Sequence, residues 1–253
     1  MGESFKARLK AGHKAIGVWI DSFDPVAAEI LAGAGYDCAM VDMEHGPGSF
    51  RDAQTVLQAM RGSPCQPLIR VPSNDRVAVK RALDIGAAGV MCPSVSTVEE
   101  AREAAAACRY APVGVRGMAA TIVRASDYGR DWQAYVPRSD AEVLTICQIE
   151  TRAGVDNVEA IAAVEGVDLL FIGPMDLSAD LGFLGQPDHP EVQAAIGRVE
   201  RAVKAAGKLL GTIPTPGRPA RGLLAGDYDL ILPDADTLLL REGARASLAA
   251  LRG

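Results

Sequence analysis

Residues 24–45 read DPVAAEILAGAGYDCAMVDMEH and contain one complete helix-to-strand unit. Asp24 suits a helix N-cap and Pro25 the first helical position, while Gly33 or Gly35 suits the helix end. The apolar run over 38–43 that follows predicts a strand. Because this run does not alternate with polar residues, both faces of the strand should be buried, as in a parallel sheet covered by helices.

The same alternation of helix and strand continues along the chain. Helical segments begin at Ser49, at Thr97 with Glu100 completing a capping box, and at His189, and a further one begins near Thr237 close to the C-terminus. Between such segments we predict eight strands, at 15–20, 38–43, 67–71, 89–92, 143–149, 167–172, 209–213 and 228–232.

Eight such units in 253 residues predict an α/β fold of the (β/α)₈ TIM-barrel type, with residues 1–253 forming a single domain. A doubly wound open sheet is the alternative. That fold usually has a glycine-rich phosphate-binding turn after its first strand, whereas this chain has IDSFDP over 20–25. The pattern therefore favours the barrel.

Composition limits the class of protein. Hydrophobic residues make up 49% of the chain, which excludes global disorder, and the net charge of −6 argues against a nucleic-acid partner. The five cysteines are scattered and form no CxxC pair, which is typical of reduced thiols in a cytoplasmic protein. The absence of a secretory-type N-terminus and of a run of about 18 apolar residues predicts no membrane contact.

Polar side chains follow several predicted strands at the ends where a barrel would hold its active site. His45 follows the second strand, Arg70 ends the third, Glu150 ends the fifth and Asp176 follows the sixth. Taken singly, His45 could be a surface histidine, Glu150 a residue near a helix start and Asp176 an N-cap. Arg70 is harder to explain in this way, because a guanidinium in an apolar strand needs a partner.

Together these residue types suit metal-assisted enolate chemistry. Two carboxylates can hold Mg²⁺ or Mn²⁺ and leave positions for water and substrate. An imidazole suits proton transfer near neutral pH, and a guanidinium suits a developing oxyanion. A Schiff-base mechanism would need a lysine at the mouth, and no lysine stands near the end of a predicted strand; Lys208 precedes the seventh.

Several motifs resemble one family in order. GVWIDSFDPVAAEILAGAGYDCAMVDMEHGP, LIRVP, ALDIGAAGVMCP, RYAPVGVRG, RASDYG, QIET, GPMDLSADLG and LLLREGAR are together similar to the HpcH/HpaI aldolases, the class II pyruvate aldolases, over about residues 5–250. The resemblance implies a (β/α)₈ barrel that makes or breaks a carbon–carbon bond next to pyruvate with a divalent metal, Mg²⁺, Mn²⁺ or Co²⁺. It also implies a homo-oligomer, commonly a hexamer, in which a C-terminal helix is exchanged between subunits.

The resemblance further assigns ligands and substrate contacts. Glu150 of QIET and Asp176 of GPMD would bind the metal, and Gln148 would contact substrate. The backbone around Met175 and Asp176 would hold the pyruvate carboxylate, which suits the free N–H groups of a helix start.

Three more residues receive catalytic roles from the resemblance. His45 of EHGP would accept the proton, Arg70 of LIRVP would stabilise the enolate, and Asp84 of ALDIGA would raise the basicity of His45. From the residues alone, Asp84 is an acid near the end of a helix.

The chain also departs from the family pattern. Met175 stands where a small residue is usual, Gly46 where alanine is frequent, and residues 212–236 match only loosely. These departures leave the aldehyde partner of pyruvate open. Oxaloacetate decarboxylation, another metal–enolate lyase reaction and a non-catalytic 2-oxo-acid-binding homologue are the alternative functions; the last would be expected to lack some of the four residues His45, Arg70, Glu150 and Asp176, and all are present.

Overall fold

Eight parallel strands form a closed barrel in the computed structural model, which describes residues 3–252. The strands are β1 Ala15–Ile20, β2 Cys38–Asp42, β3 Gln66–Arg70, β4 Gly89–Cys92, β5 Leu144–Ile149, β6 Leu169–Ile172, β7 Leu209–Thr212 and β8 Leu230–Ala235. Each strand pairs with the next in sequence, and β8 pairs with β1 to close the ring. The predicted TIM barrel is confirmed, and all eight predicted strands are found.

Helices surround the barrel. They are α1 Phe5–Lys10, α2 Pro25–Gly33, α3 Phe50–Ala59, α4 Arg76–Asp84, α5 Val98–Ala107, α6 Trp132–Glu142, α7 Arg152–Asp156, α8 Val158–Ala162, α9 Pro174–Asp180, α10 Pro190–Ala205, α11 Ala220–Ala225 and α12 Asp236–Arg252. Asp24 caps α2 by accepting hydrogen bonds from the N–H groups of Val26 and Ala27, as predicted. No helix within residues 3–252 has both the length and the apolar character that crossing a membrane requires.

Two apolar cores lie on the two sides of the strands. The larger fills the layer between strands and helices, and its strand residues include Val41, Ile69 and Ile149. The smaller fills the barrel interior with the alternate residues of the same strands, such as Met40, Leu68, Leu144, Ile146 and Phe171. This arrangement explains why the strands show no polar alternation in sequence.

The inward-facing rows lead to the site. Because side chains alternate along a strand, Asp42 continues the inward row of Cys38 and Met40, and Arg70 continues that of Leu68. At the other end of the barrel, helix α1 covers the opening, because Phe5 and Leu9 join the interior core. The barrel is therefore closed at its N-terminal end and open where the strands end.

Candidate active site

The open end of the barrel surrounds a cavity of about 520 Å³. Predicted site residues among those that line it are His45, Arg70, Gln148, Met175 and Asp176. Larger clefts lie elsewhere, including one of about 830 Å³ between α10, α11 and the starts of β7 and β8, but it contains none of the predicted site residues. The smaller cavity is therefore the candidate active site.

Arg70 is held in one orientation by its neighbours. The β2–β3 register places it beside Asp42, and its Nε and Nη2 donate to the two Asp42 oxygens at 2.9 and 2.7 Å. Nη1 lies 3.0 Å from Glu44 Oε2, and the guanidinium stacks 4.5 Å from the Trp19 ring. Burial disfavours the charge, but the hydrogen bonds and charge of Asp42 outweigh burial and raise the pKa of Arg70. Arg70 is thus a rigid and permanent cation on the cavity wall.

Glu150 is a buried carboxylate whose two oxygens have different partners. Oε1 accepts hydrogen bonds from the N–H and the hydroxyl of Ser94, at 2.8 and 2.9 Å, and Oε2 accepts one from the Gln148 amide. Ser94 has a left-handed backbone with φ of 54°, a strained conformation that aims both donors at one oxygen. Burial raises the pKa of Glu150, the Ser94 hydrogen bonds oppose this, and the charge of Asp176 adds to it.

Asp176 lies in the first turn of α9, after Gly173 and Pro174. The backbone reaches this position close to Glu150: a Cβ on Gly173 would lie 2.5 Å from Glu150 Oε2 and 2.9 Å from Gln148 Nε2. Only glycine therefore allows α9 to begin here. The alternative that Asp176 is an N-cap is excluded, because Gly173 occupies the cap position of α9, and Asp176 lies among the residues that line the cavity.

The donor set fits a hard divalent cation. Glu150 and Asp176 are close enough for the charge of Asp176 to raise the pKa of Glu150. Within residues 3–252, no group of three or more His, Cys, Asp or Glu side chains is arranged to bind a metal, so these two carboxylates would be the protein's ligands. A metal held by two carboxylates keeps several coordination positions open for water and substrate. Mg²⁺ and Mn²⁺ are commonly bound in this way. None of the described residues that line the cavity is a lysine; Lys208 instead donates to the Val164 and Val167 carbonyls.

His45 follows β2 in a turn that Asp42 organises. Asp42 Oδ1 accepts from the Glu44 N–H at 3.1 Å and from the His45 N–H at 3.4 Å. The imidazole lies at the cavity rim, with 66% of its side chain exposed and Nε2 4.0 Å from Glu44 Oε2. Asp42 thus fixes both the backbone of His45 and the side chain of Arg70.

Asp84 lies away from His45 within one chain. It ends α4, and because α4 runs back from the end of β3 to the start of β4, this position is at the closed end of the barrel. Its carboxylate accepts from Arg116 Nη2 at 2.9 Å, and no hydrogen bond or ion pair between Asp84 and His45 occurs in residues 3–252. A contact between the two would have to join two copies of the chain.

Gly46 is explained by its packing against Phe23. A Cβ at this position would lie 2.5 Å from Phe23 Cε2 and 2.4 Å from the Asp42 carbonyl oxygen. Phe23 itself has a left-handed backbone with φ of 57°. The departure at Gly46 therefore accompanies a ring that fills the space beside the His45 turn.

Sequence reasoning did not assign roles to several residues that contact the predicted ones. They are Asp42, which ends β2, Glu44, which follows it, and Trp19 and Ser94; Asp21, which also lines the cavity, has no predicted role either. The signal that could have identified Asp42 is its place as the last residue of a strand next to the strand that ends in Arg70, since parallel neighbours bring such ends together.

Comparisons with known proteins agree with this geometry. A family model described as HpcH/HpaI aldolase/citrate lyase matches residues 15–233. The chain is 41% identical over 249 residues to a Salmonella dublin protein named 4-hydroxy-2-oxo-heptane-1,7-dioate aldolase, covering 98% of this chain and 94% of that protein. A family member from Burkholderia cenocepacia superposes with a TM-score of 0.93 at 40% identity, covering 98% of each chain. An aldolase from Desulfitobacterium hafniense gives 0.90 at 30% identity, covering 99% of this chain and 97% of that one.

Proposed function

Because this chain belongs to the HpcH/HpaI aldolase/citrate lyase family and is a carbon–carbon lyase of the aldolase type, we propose that it reversibly cleaves a 4-hydroxy-2-oxo acid to pyruvate and an aldehyde. The observation that carries this proposal is that a buried, permanently charged Arg70 and the Asp176 carboxylate line one cavity. Glu150 lies beside this cavity, where it accepts from the cavity-lining Gln148 and is close enough to Asp176 for their charges to interact. A pyruvate enolate carries a negative charge, which Arg70 would stabilise from one side and a metal held by the two carboxylates from the other.

Glu150 and Asp176 would hold a divalent metal, Mg²⁺, Mn²⁺ or Co²⁺. Bound there, the metal supplies a Lewis acid that polarises the 2-oxo group of the substrate. The Gln148 amide, which donates to Glu150 Oε2, orients that ligand and contacts the substrate. The backbone N–H groups at Met175 and Asp176, in the first turn of α9, bind the pyruvate carboxylate.

Arg70 stabilises the negative charge that develops on the enolate oxygen. Its Nη1 faces the cavity beside Gln148 Oε1, at 3.5 Å, while Asp42 holds the other edge of the guanidinium. Because Asp42 and the Trp19 ring already fix the Arg70 guanidinium, it needs little reorganisation when negative charge develops on the enolate oxygen.

His45 supplies the proton transfer. In cleavage its imidazole takes the proton of the 4-hydroxyl group, the C3–C4 bond breaks, and the electron pair of that bond passes into the pyruvate enolate as the aldehyde leaves. Protonation of the enolate at C3 gives pyruvate. In synthesis the enolate carbon attacks the aldehyde carbonyl, and the imidazolium returns its proton to the new alkoxide.

In this proposal the protein assembles as a homo-oligomer, the hexamer that the family resemblance implies. Support comes from two helices that contact each other, α12 and α2. On α12, Leu240 and Leu251 have 76% and 83% of their surface exposed, and on α2, Val26 and Ile30 have 61% and 65% exposed. Burial of these side chains against a second copy would remove them from water. An exchanged α12 and a contact between Asp84 of one copy and His45 of another belong to this proposal.

The metal assignment is tested by binding and by activity. Cleavage, followed as pyruvate release, should stop in EDTA and return with Mn²⁺ or Mg²⁺. Asp176→Asn should weaken Mn²⁺ binding, measured by calorimetry, by at least roughly 10-fold, since even outer-shell partners of metal ligands contribute this much. Asp180→Asn is the matched control, because Asp180 is on the same helix but accepts from the Arg152 N–H instead. Full activity in EDTA, with borohydride trapping of pyruvate, would show a lysine mechanism.

Mn²⁺ binding should also depend on pH in a defined direction. The carboxylates must lose their protons to bind metal. Burial, reinforced by the charge of Asp176, raises the pKa of Glu150 above that of an ordinary glutamate. As the pH is lowered, Mn²⁺ affinity should therefore begin to fall at a higher pH than it would at a site made of exposed glutamates. Calorimetric titrations with Mn²⁺ at a series of pH values would measure this.

A further inference from the structure

Asp21 lies on the cavity wall opposite the carboxylate pair that would hold the metal. It follows β1 and continues the inward row of Trp19, whose ring meets Phe171 edge-on inside the barrel at 6.3 Å. The Asp21 N–H donates to Asp236 Oδ1 at 3.0 Å, and its Oδ2 accepts from the Thr237 hydroxyl at 3.3 Å. The Asp21 carboxylate is half-buried, and its other oxygen, Oδ1, is available to a molecule bound in the cavity.

The charges around the cavity are strongly unequal. Arg70 is the one arginine or lysine among the described residues that line it, and Asp42 and Glu44 already pair with Arg70. Asp21 and Asp176 also line the cavity, and no cation is paired with either of them in residues 3–252. Burial raises the pKa of Asp21, and the charges of Asp236 and Asp42 raise it further, which is the signature of crowded acids.

On the Asp21 side of the cavity, a negatively charged aldehyde would therefore meet an unpaired carboxylate and, among the described residues, no lysine or free arginine side chain. The polar groups on the Asp21 side accept hydrogen bonds, which suits hydroxyl groups that can donate them. In the proposed function, the metal, Arg70 and the start of α9 bind the 2-oxo acid portion of the substrate. The part that becomes the aldehyde is therefore left to lie on the Asp21 side of the cavity.

We propose that Asp21 determines the selectivity for the aldehyde, excluding aldehydes that carry a carboxylate and favouring uncharged hydroxyaldehydes. This inference rests on the proposed function and names the substrate class of that same site. A like charge facing a substrate in a partly buried site lowers its affinity and its rate of reaction, whereas a hydrogen-bonded hydroxyl is retained.

The test compares three aldehydes in pyruvate addition with Mn²⁺: succinic semialdehyde, which is charged, butanal, which has the same chain length without charge, and glyceraldehyde, which is hydroxylated. Wild type should give a much lower kcat/KM with succinic semialdehyde than with glyceraldehyde. Asp21→Asn should raise the ratio of kcat/KM for succinic semialdehyde over butanal at least about 10-fold and lower that for glyceraldehyde over butanal several-fold. Asp21→Ser is the second uncharged variant in case asparagine disturbs the fold.

Glu29→Gln is the matched control, because Glu29 is exposed on α2 and its substitution removes one negative charge outside the cavity. Both ratios should stay at the wild-type value in this control. An active wild type whose ratios do not change in either Asp21 variant would overturn the selectivity role and leave the proposed function intact. A wild type that consumes pyruvate with none of the three aldehydes would overturn the proposed function and this inference with it.

Discussion

Arg70 shows how a charged residue can end a buried strand. Its guanidinium has hydrogen-bond partners on both edges and an aromatic face beneath it, so the cost of burying the charge is offset by Asp42, Glu44 and Trp19. The arrangement leaves the Nη1 edge toward Gln148 and the cavity. A residue held this way can act on charge that appears in the cavity without moving.

Arg70→Ala should lower kcat by about 10²-fold or more, because the lost interaction is made with charge that develops during the reaction. Arg70→Lys should recover little of this, since an ammonium on a flexible stem cannot satisfy Asp42 and Gln148 together. Steady-state kinetics and thermal unfolding would separate activity from stability. Arg81→Lys, at an exposed arginine stacked on Phe50, is the control. Near-normal turnover in Arg70→Ala would make the residue structural.

His45→Ala should remove most aldol cleavage but affect oxaloacetate decarboxylation much less, because loss of CO₂ needs no deprotonation of a 4-hydroxyl group. Measuring both reactions on one preparation separates proton transfer from binding. His13→Ala, at an exposed histidine before β1 at the other end of the barrel, should change neither reaction. Equal loss of both reactions in a folded, metal-binding His45→Ala protein would make the imidazole a binding group.

At the scale of elements, helix α1 docks on the closed end of the barrel through ion pairs as well as apolar contacts. Lys6 reaches into the closed end of the barrel, where its ammonium lies 2.8 Å from Asp168 and donates to the Asp140 and Val143 carbonyls. Lys10, one turn later, pairs with the other Asp168 oxygen at 2.8 Å, but 54% of its side chain is exposed. Two ion pairs of equal length therefore differ in burial.

Lys6→Met should destabilise the protein by about 3 kcal/mol, because it leaves the buried Asp168 without its buried partner. Lys10→Met should cost less than about 1 kcal/mol, since exposed ion pairs contribute little. Urea unfolding of both variants gives the comparison, and turnover of the folded proteins should stay near normal because the pair is at the end of the barrel away from the cavity. Equal destabilisation would mean that α1 docks through both pairs alike.

At the scale of the whole molecule, α12 extends from the barrel rather than packing on it. Asp236 is its buried residue, and it ties the helix start to the Asp21 and Ser22 N–H groups, while Leu239, Leu240, Leu248 and Leu251 are exposed. An amphipathic helix whose apolar face meets solvent is stabilised by burial against a partner.

Leu240→Asp should therefore shift the protein toward smaller species, because a charge in an apolar contact between copies is costly. Sedimentation velocity over a range of concentrations would measure this. Arg241→Asp introduces the same side chain at the neighbouring exposed position and should leave the assembly unchanged. A wild-type chain that sediments as a monomer at all concentrations would rule out the oligomer.

Much of the fold follows from the sequence alone. Strand positions, the caps at Asp24 and Thr97 and the barrel were predictable, because apolar runs, capping residues and strand–helix alternation are local patterns that physical chemistry constrains one segment at a time. His45, Arg70, Glu150 and Asp176 were selected as candidates because polar groups at strand ends stand out against an apolar background. Their residue types also indicate metal binding by the two carboxylates, proton transfer by the imidazole and oxyanion stabilisation by the guanidinium. The roles of Gln148, Met175 and Asp84 come from the family resemblance alone.

Only the tertiary structure decided which faces of the strands point inward, because a strand buried on both sides has no polar alternation to mark them. That choice brings Asp42 to Arg70, aims the strained Ser94 at Glu150, and turns Asp21 into the cavity. It also separates Asp84 from His45, because the helix that carries Asp84 ends at the closed side of the barrel. Contacts between residues distant in sequence depend on register and on the closure of the ring, and no local pattern contains that information.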